Sequence, residues 1–144
     1  MFLAFLNKYR DIGILILRLG IGGMFIMHGW PKISGGPDTW ERVGGATASL
    51  GIHFAPTVFG FLAAVSEFVG GILLILGLFM RPACIFLLIT MIVASAMLLT
   101  SGDGLLKASQ AIEDGMVFLS LILIGPGALS LDETLLNREK PEES

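Results

Sequence analysis

Apolar residues run in long stretches along this chain, and polar residues gather between the runs. Four runs have the length and character of transmembrane helices, which need about 20 mostly apolar residues. They cover about 12–30, 57–79, 82–100 and 108–125. The fourth is the least regular, and it ends at Gly125-Pro126-Gly127, where proline and flexible backbone stop a helix. The pattern predicts an all-α integral membrane protein. It is a four-helix bundle forming one domain over 1–144, with 126–144 as a polar tail.

The connections sharpen this picture. Only Met80-Arg81 separates the second run from Pro82, which suits the first turn of a new helix and predicts an antiparallel hairpin. The first connection, from Pro31 to Pro56, is long. Its Asp38-x-x-Glu41 has the spacing of a capping box, predicting a short surface helix through Trp40 and Val43. Trp30 and Trp40 suit the membrane interface. Ser130-x-x-Glu133 predicts the cap of a small amphipathic helix after the fourth span.

Composition supports a lipid environment. Of 144 residues, 54% are hydrophobic and 15% charged, against about a quarter charged in soluble domains. A net charge of −3 argues against nucleic acid as a partner, because that needs a clustered cationic face. The lone Cys84 lies in an apolar run, so it builds no disulfide framework and no cysteine metal site within the chain. The first run lacks a small-residue cleavage site and is read as a retained span. Lys8, Arg10, Arg81, Arg138 and Lys140 would share one side, and Lys32, Arg42 and Lys107 the other. This bias predicts both termini in the cytoplasm. Gly20 and Gly23, Ser66 and Gly70, and Gly71 and Gly77 read as helix-packing positions.

Ionisable residues within the runs carry the chemical information, since charge at the bilayer centre costs roughly 3 kcal/mol on insertion scales and turns toward partners or cavities. Arg18 lies about 18 Å from the loop-side end of the first span, and Glu67 about 15 Å from the same face. Nearly equal depths on sequential antiparallel helices predict an Arg18–Glu67 ion pair. Such a pair can serve helix register alone or place a proton-exchanging carboxylate at Glu67. His28, Lys32, Glu113 and Asp114, with Lys107 and Gln110 nearby, are predicted to converge in a polar mouth beneath the long loop. There His28 can hydrogen-bond a quinone carbonyl, relay a proton, or stand as a satisfied interfacial histidine. His28 and His53 match no ligand spacing, so no metal site is expected. Glycine-rich phosphate loops, dinucleotide fingerprints, nucleophile elbows and cysteine pairs are missing, and no tightly bound classical cofactor is expected.

Arg18-Leu19-Gly20, His28-Gly29-Trp30-Pro31-Lys32, Glu67-Phe68-Val69-Gly70-Gly71, Leu76-Gly77-Leu78-Phe79-Met80-Arg81, and Glu113 leading to Gly125-Pro126-Gly127 and Ser130-Leu131-Asp132 follow in order. This set resembles the DoxX family. The resemblance implies a bacterial inner-membrane protein of four helices, in a family linked to thiosulfate:quinone oxidoreductase and to oxidative-stress complexes. It places Arg18, His28, Lys32, Glu67 and Glu113 in the shared motif, with Asp114 outside it. The function it implies is a subunit or partner of a redox complex that is quinone-linked or sulfur-oxidising. In that role quinone is a compatible ligand, the bilayer and a protein are the partners, and there is room for a homo-oligomer. A non-enzymatic scaffold or assembly factor is the alternative, and a small-solute carrier a second, disfavoured by the lack of inverted repeats.

Overall fold

The computed structural model describes residues 3–102 and 104–138, so Lys140 and the end of the tail lie outside the described residues. The described chain is helical, without a strand. A 3-10 segment, Ala4–Tyr9, leads into α1, Arg10–Ser34. Helix α2 covers Gly36–Gly44 and passes into a 3-10 segment, Gly45–Leu50. Then follow α3, Pro56–Leu76; α4, Met80–Thr100; α5, Leu105–Ile124; and α6, Leu131–Arg138.

Helix α1 together with most of the 3-10 segment before it, α3 and α4 are long and apolar enough to cross a membrane. The 21 residues of α3 span about 31 Å, matching a hydrocarbon core of about 30 Å. Helix α5 is nearly as long at 20 residues, but Lys107, Glu113 and Asp114 interrupt its apolar run. It packs along α4 as the fourth helix of the bundle. Neighbours run α1–α3–α4–α5, and Phe25 meets Phe118 edge-on at 4.9 Å to close α1 against α5. Leu74, Met80, Cys84, Leu87 and Leu121 fill the space between them. One end of the bundle holds the start of α1 and α6, called here the termini end. The other holds α2 and its 3-10 extension, the loop end.

Local chemistry sets the boundaries. Helix α1 continues through Pro31 to Ser34, past the end near Trp30 expected from the apolar run. Pro31 withholds one N–H from the turn before it, and near a helix end that loss is tolerable. The Ser34 hydroxyl also donates back to the Trp30 carbonyl at 2.8 Å. Asp38 does not cap α2: the helix starts from Gly35 without a side-chain cap, and Asp38 sits inside the first turn. Pro82 does lie in the first turn of α4. Ser130 caps α6, its Oγ accepting the Glu133 N–H at 3.2 Å.

The α1–α3 register rests on Gly22 and Gly71. A Cβ on either would stand 2.7 Å from the other's carbonyl oxygen, so only hydrogen permits this approach. Gly20 and Gly23, expected to pack, have nothing within 4 Å of an added Cβ. The packing glycine of this stretch is the one between them.

Candidate functional site

The intramembrane charges fall into three groups. At the termini end, Arg18 is 1% exposed, yet its partner is not Glu67. Its Nε donates to the Leu74 carbonyl at 2.8 Å and its Nη2 to that of Ile75 at 2.9 Å. Its Nη1 donates to the carbonyls of Pro126 at 2.9 Å and Leu129 at 2.8 Å. The last turn of α3 and the turn after α5 leave carbonyls without helical donors, and a guanidinium fork supplies several in one plane. Asp132 lies within electrostatic reach of Arg18. Its own carboxylate accepts the N–H groups of Phe79 at 2.8 Å and Met80 at 3.0 Å, capping α4 from across the bundle. Gly77 makes room for this junction. It takes φ +63, and a Cβ there would stand 2.3 Å from the Arg18 Nη2. This group is a structural clasp.

The expected Arg18–Glu67 pair therefore gives way to a different one. With Gly22 opposite Gly71, residue 18 faces residue 75, and Glu67 stands about 12 Å farther along α3. The depth estimate fails because α1 continues to Ser34, which sinks Arg18 deeper from the loop end than an end at Trp30 implies.

At the loop end, Lys32 Nζ lies 2.6 Å from both carboxylate oxygens of Glu67. The Glu67 side chain is 3% exposed and that of Lys32 32% exposed. A long lysine stem can reach inward from the membrane interface while its head finds a charge. Gly29, one turn earlier, lies against the Phe68 backbone, where a Cβ would come within 2.4 Å. That contact sets Lys32 beside Glu67. The Trp40 indole N–H donates to the Lys32 carbonyl at 2.9 Å and ties α2 down over the pair.

Lys32 and Glu67 border a cavity of about 520 Å³. Its walls come from α3, α4 and the 3-10 segment, with Phe59, Phe86, Ile89, Val93 and Met97 among them. Arg42, Thr47 and Ser66 add polarity. Thr47 Oγ1 is committed to the carbonyls of Gly44 at 2.8 Å and Ile52 at 3.1 Å. Ser66 Oγ is committed to Leu62 at 2.7 Å. Thr90 Oγ1, also in the wall, is committed to the Phe86 carbonyl at 3.0 Å, so the polarity open to a ligand is that of Lys32, Glu67 and Arg42.

The third group lies outside this cavity. His28 is exposed on α1, packs edge-on against Phe25, and is within electrostatic reach of Asp114 on α5. Glu113 is exposed beside it. The predicted mouth of His28, Lys32, Glu113 and Asp114 is thus divided, with Lys32 turned to the cavity and the other three on the α1/α5 face. His53 is exposed in the loop before α3, and no metal-ligand cluster occurs among the described residues. The Lys32–Glu67 pairing left no sequence signal beyond a lysine at a span end, because only the glycine-set register brings the two together.

The family model described as DoxX matches residues 13–100. An uncharacterized protein of Haemophilus influenzae is 33% identical, with 92% of this chain and 98% of that protein covered. The inner membrane protein YphA of Escherichia coli is 31% identical over 85% of this chain and 90% of its own length. CatD of Bacillus subtilis, whose name provisionally calls it an oxidoreductase, is 33% identical over 60% of each chain. No solved structure matches.

Proposed function

The chain belongs to the DoxX family, and from that premise we propose that it is an inner-membrane subunit of a redox complex, holding a membrane quinone in the Lys32–Glu67 cavity. The termini then face the cytoplasm, and a partner protein supplies the electrons. The carrying observation is an apolar cleft of about 520 Å³ ending on a buried carboxylate paired with a partly exposed lysine. Its volume lies within the range of about 300–1,000 Å³ usual for ligand pockets. Aromatic and aliphatic walls suit a ring and its first isoprenoid units, and one charged donor suits a carbonyl oxygen. The YphA name supports the membrane assignment and the CatD name the redox one.

In this reading Lys32 donates a hydrogen bond to the carbonyl oxygen. As the partner's two electrons reach the ring, Lys32 would pass one proton to that oxygen and be reprotonated from water. The second comes from water at the mouth flanked by Arg42. Glu67 holds the lysine charged between turnovers. This reading gives Lys32 the quinone-carbonyl hydrogen bond that was one of three roles open to His28.

Titration of the purified chain with a short-tailed quinone analogue, followed by Trp40 fluorescence, tests this. Saturable quenching is expected, weakened about ten- to a hundredfold by Lys32→Ala, as loss of a charged hydrogen bond of about 1.5–3 kcal/mol implies, and unaffected by His28→Ala. No saturable binding, or equal loss in both variants, would remove the proposal.

A further inference from the structure

We infer that the α1/α5 face is an interface with a second copy of this chain, related by a two-fold axis along the bundle, in which His28 of each copy meets Glu113 of the other. The starting observation is a glutamate on the wrong side of its helix. Helix α5 buries Ala108, Ala111, Gly115, Phe118 and Leu121. At 100° per residue Glu113 points almost opposite the middle of that set, and it is exposed. It makes no hydrogen bond or ion pair among the described residues. It stands about 12 Å from the loop end of α5, between Leu106 and Met116, which are 91% and 65% exposed as lipid-facing residues are. Asp114, one residue on, turns toward α1 and has His28 in reach. Within one copy His28 thus serves Asp114 alone, and the Glu113 carboxylate remains on the outer surface of its helix. Such groups are covered by protein in membrane bundles, because lipid offers them no partner.

A second, independent observation points the same way. Gly13, Leu17, Gly20, Met24 and His28 follow at three- and four-residue spacing and form one stripe on α1. Gly13 and Gly20 are exposed, with open space where a Cβ would stand. The bundle's own contacts use Gly22 and Gly71 and leave these two unused. Exposed glycines on a membrane helix let a second helix approach closely.

Charge complementarity selects the occupant. A two-fold axis along the membrane normal keeps every residue at its own depth and pairs one face with itself. His28 shares a depth with Asp114 and hence with Glu113, so the face carries both a donor and the acceptor it lacks. A second copy gives Glu113 the donor it lacks, through the second ring nitrogen of an imidazole whose first serves Asp114, without any foreign group.

Cysteine crosslinking of the full chain in membranes, in a Cys84→Ala background, tests the interface. Met24→Cys is expected to crosslink to a dimer, whereas Val58→Cys on α3 is not. Gly20→Leu is the decisive variant: the open space around Gly20 lets the single chain fold and melt as before, while the dimer is lost. His28→Ala removes two symmetry-related contacts and should weaken the dimer roughly tenfold, in line with about 0.6 kcal/mol for each interhelical hydrogen bond. Three results would overturn the inference: a single-chain mass in lipid nanodiscs, equal crosslinking from Val58→Cys, or a Gly20→Leu chain that still dimerises. Crosslinking of Met24→Cys to a different protein would do the same. Quinone binding by the Gly20→Leu chain reads out the cavity separately.

Discussion

The Arg18 guanidinium donates to the Leu129 carbonyl at 2.8 Å, tying the first membrane helix to the turn that precedes the last helix. The same side chain holds the end of α3 through Leu74 and Ile75. One residue therefore joins three segments distant in sequence.

Replacing Arg18 by Leu leaves the Ile75, Pro126 and Leu129 carbonyls without a donor, while that of Leu74 keeps the Gly77 N–H. At about 1–3 kcal/mol for each unsatisfied buried group, partly relieved by relaxation, the chain should lose more than about 3 kcal/mol of stability. Arg18→Lys should recover only part, because an ammonium cannot spread its donors as a planar fork does. Thermal unfolding in detergent checks both. A lysine variant melting as the parent does would show that charge alone suffices.

Gly77 should tolerate no side chain. Its φ of +63 and the 2.3 Å approach of Arg18 to an added Cβ penalise Gly77→Ala twice. A loss above about 1–2 kcal/mol is expected from backbone strain and displaced contacts. Gly23→Ala, placed in open space, should melt unchanged or slightly higher, since alanine favours helix. Comparing the two melting curves is sufficient.

Asp132→Asn should weaken the start of α4. The carboxylate accepts the Phe79 and Met80 N–H groups and complements the positive end of the helix. The amide keeps part of this geometry without the charge, so a loss of about 1 kcal/mol is expected, shrinking in high salt. Unfolding midpoints at two ionic strengths measure it.

The Lys32–Glu67 pair separates stability from function. Lys32→Met alone strands a buried carboxylate and should cost about 3–5 kcal/mol if the group stays ionised. Lys32→Met with Glu67→Met should restore much of that, since apolar replacement of a buried pair is often neutral. The double variant should fold yet fail to bind the quinone analogue. A double variant that binds as the parent does would place the ligand elsewhere.

Gly71→Ala should break the α1–α3 register, because the new methyl would meet the Gly22 carbonyl oxygen at 2.7 Å. The helices must then separate, moving Lys32 relative to Glu67. Weaker quinone-analogue binding together with a lower melting point is the expected result.

The sequence by itself determined the helices and their neighbours. Long apolar runs can satisfy their backbones only as helices in lipid, so the bundle, the Pro82 hairpin and the α6 cap at Ser130 were legible without coordinates. It also marked Arg18, His28, Lys32, Glu67 and Glu113 as residues that need partners. Which partners they take was decided by tertiary structure. Two chain-internal facts set it: α1 runs on through Pro31, and Gly22 meets Gly71 with no atom to spare. Together these slide α3 along α1, giving Arg18 to the carbonyls at the termini end and Glu67 to Lys32. Hydropathy has no resolution along a helix axis finer than a few residues, and a shift of two turns is enough to exchange every ionic partner.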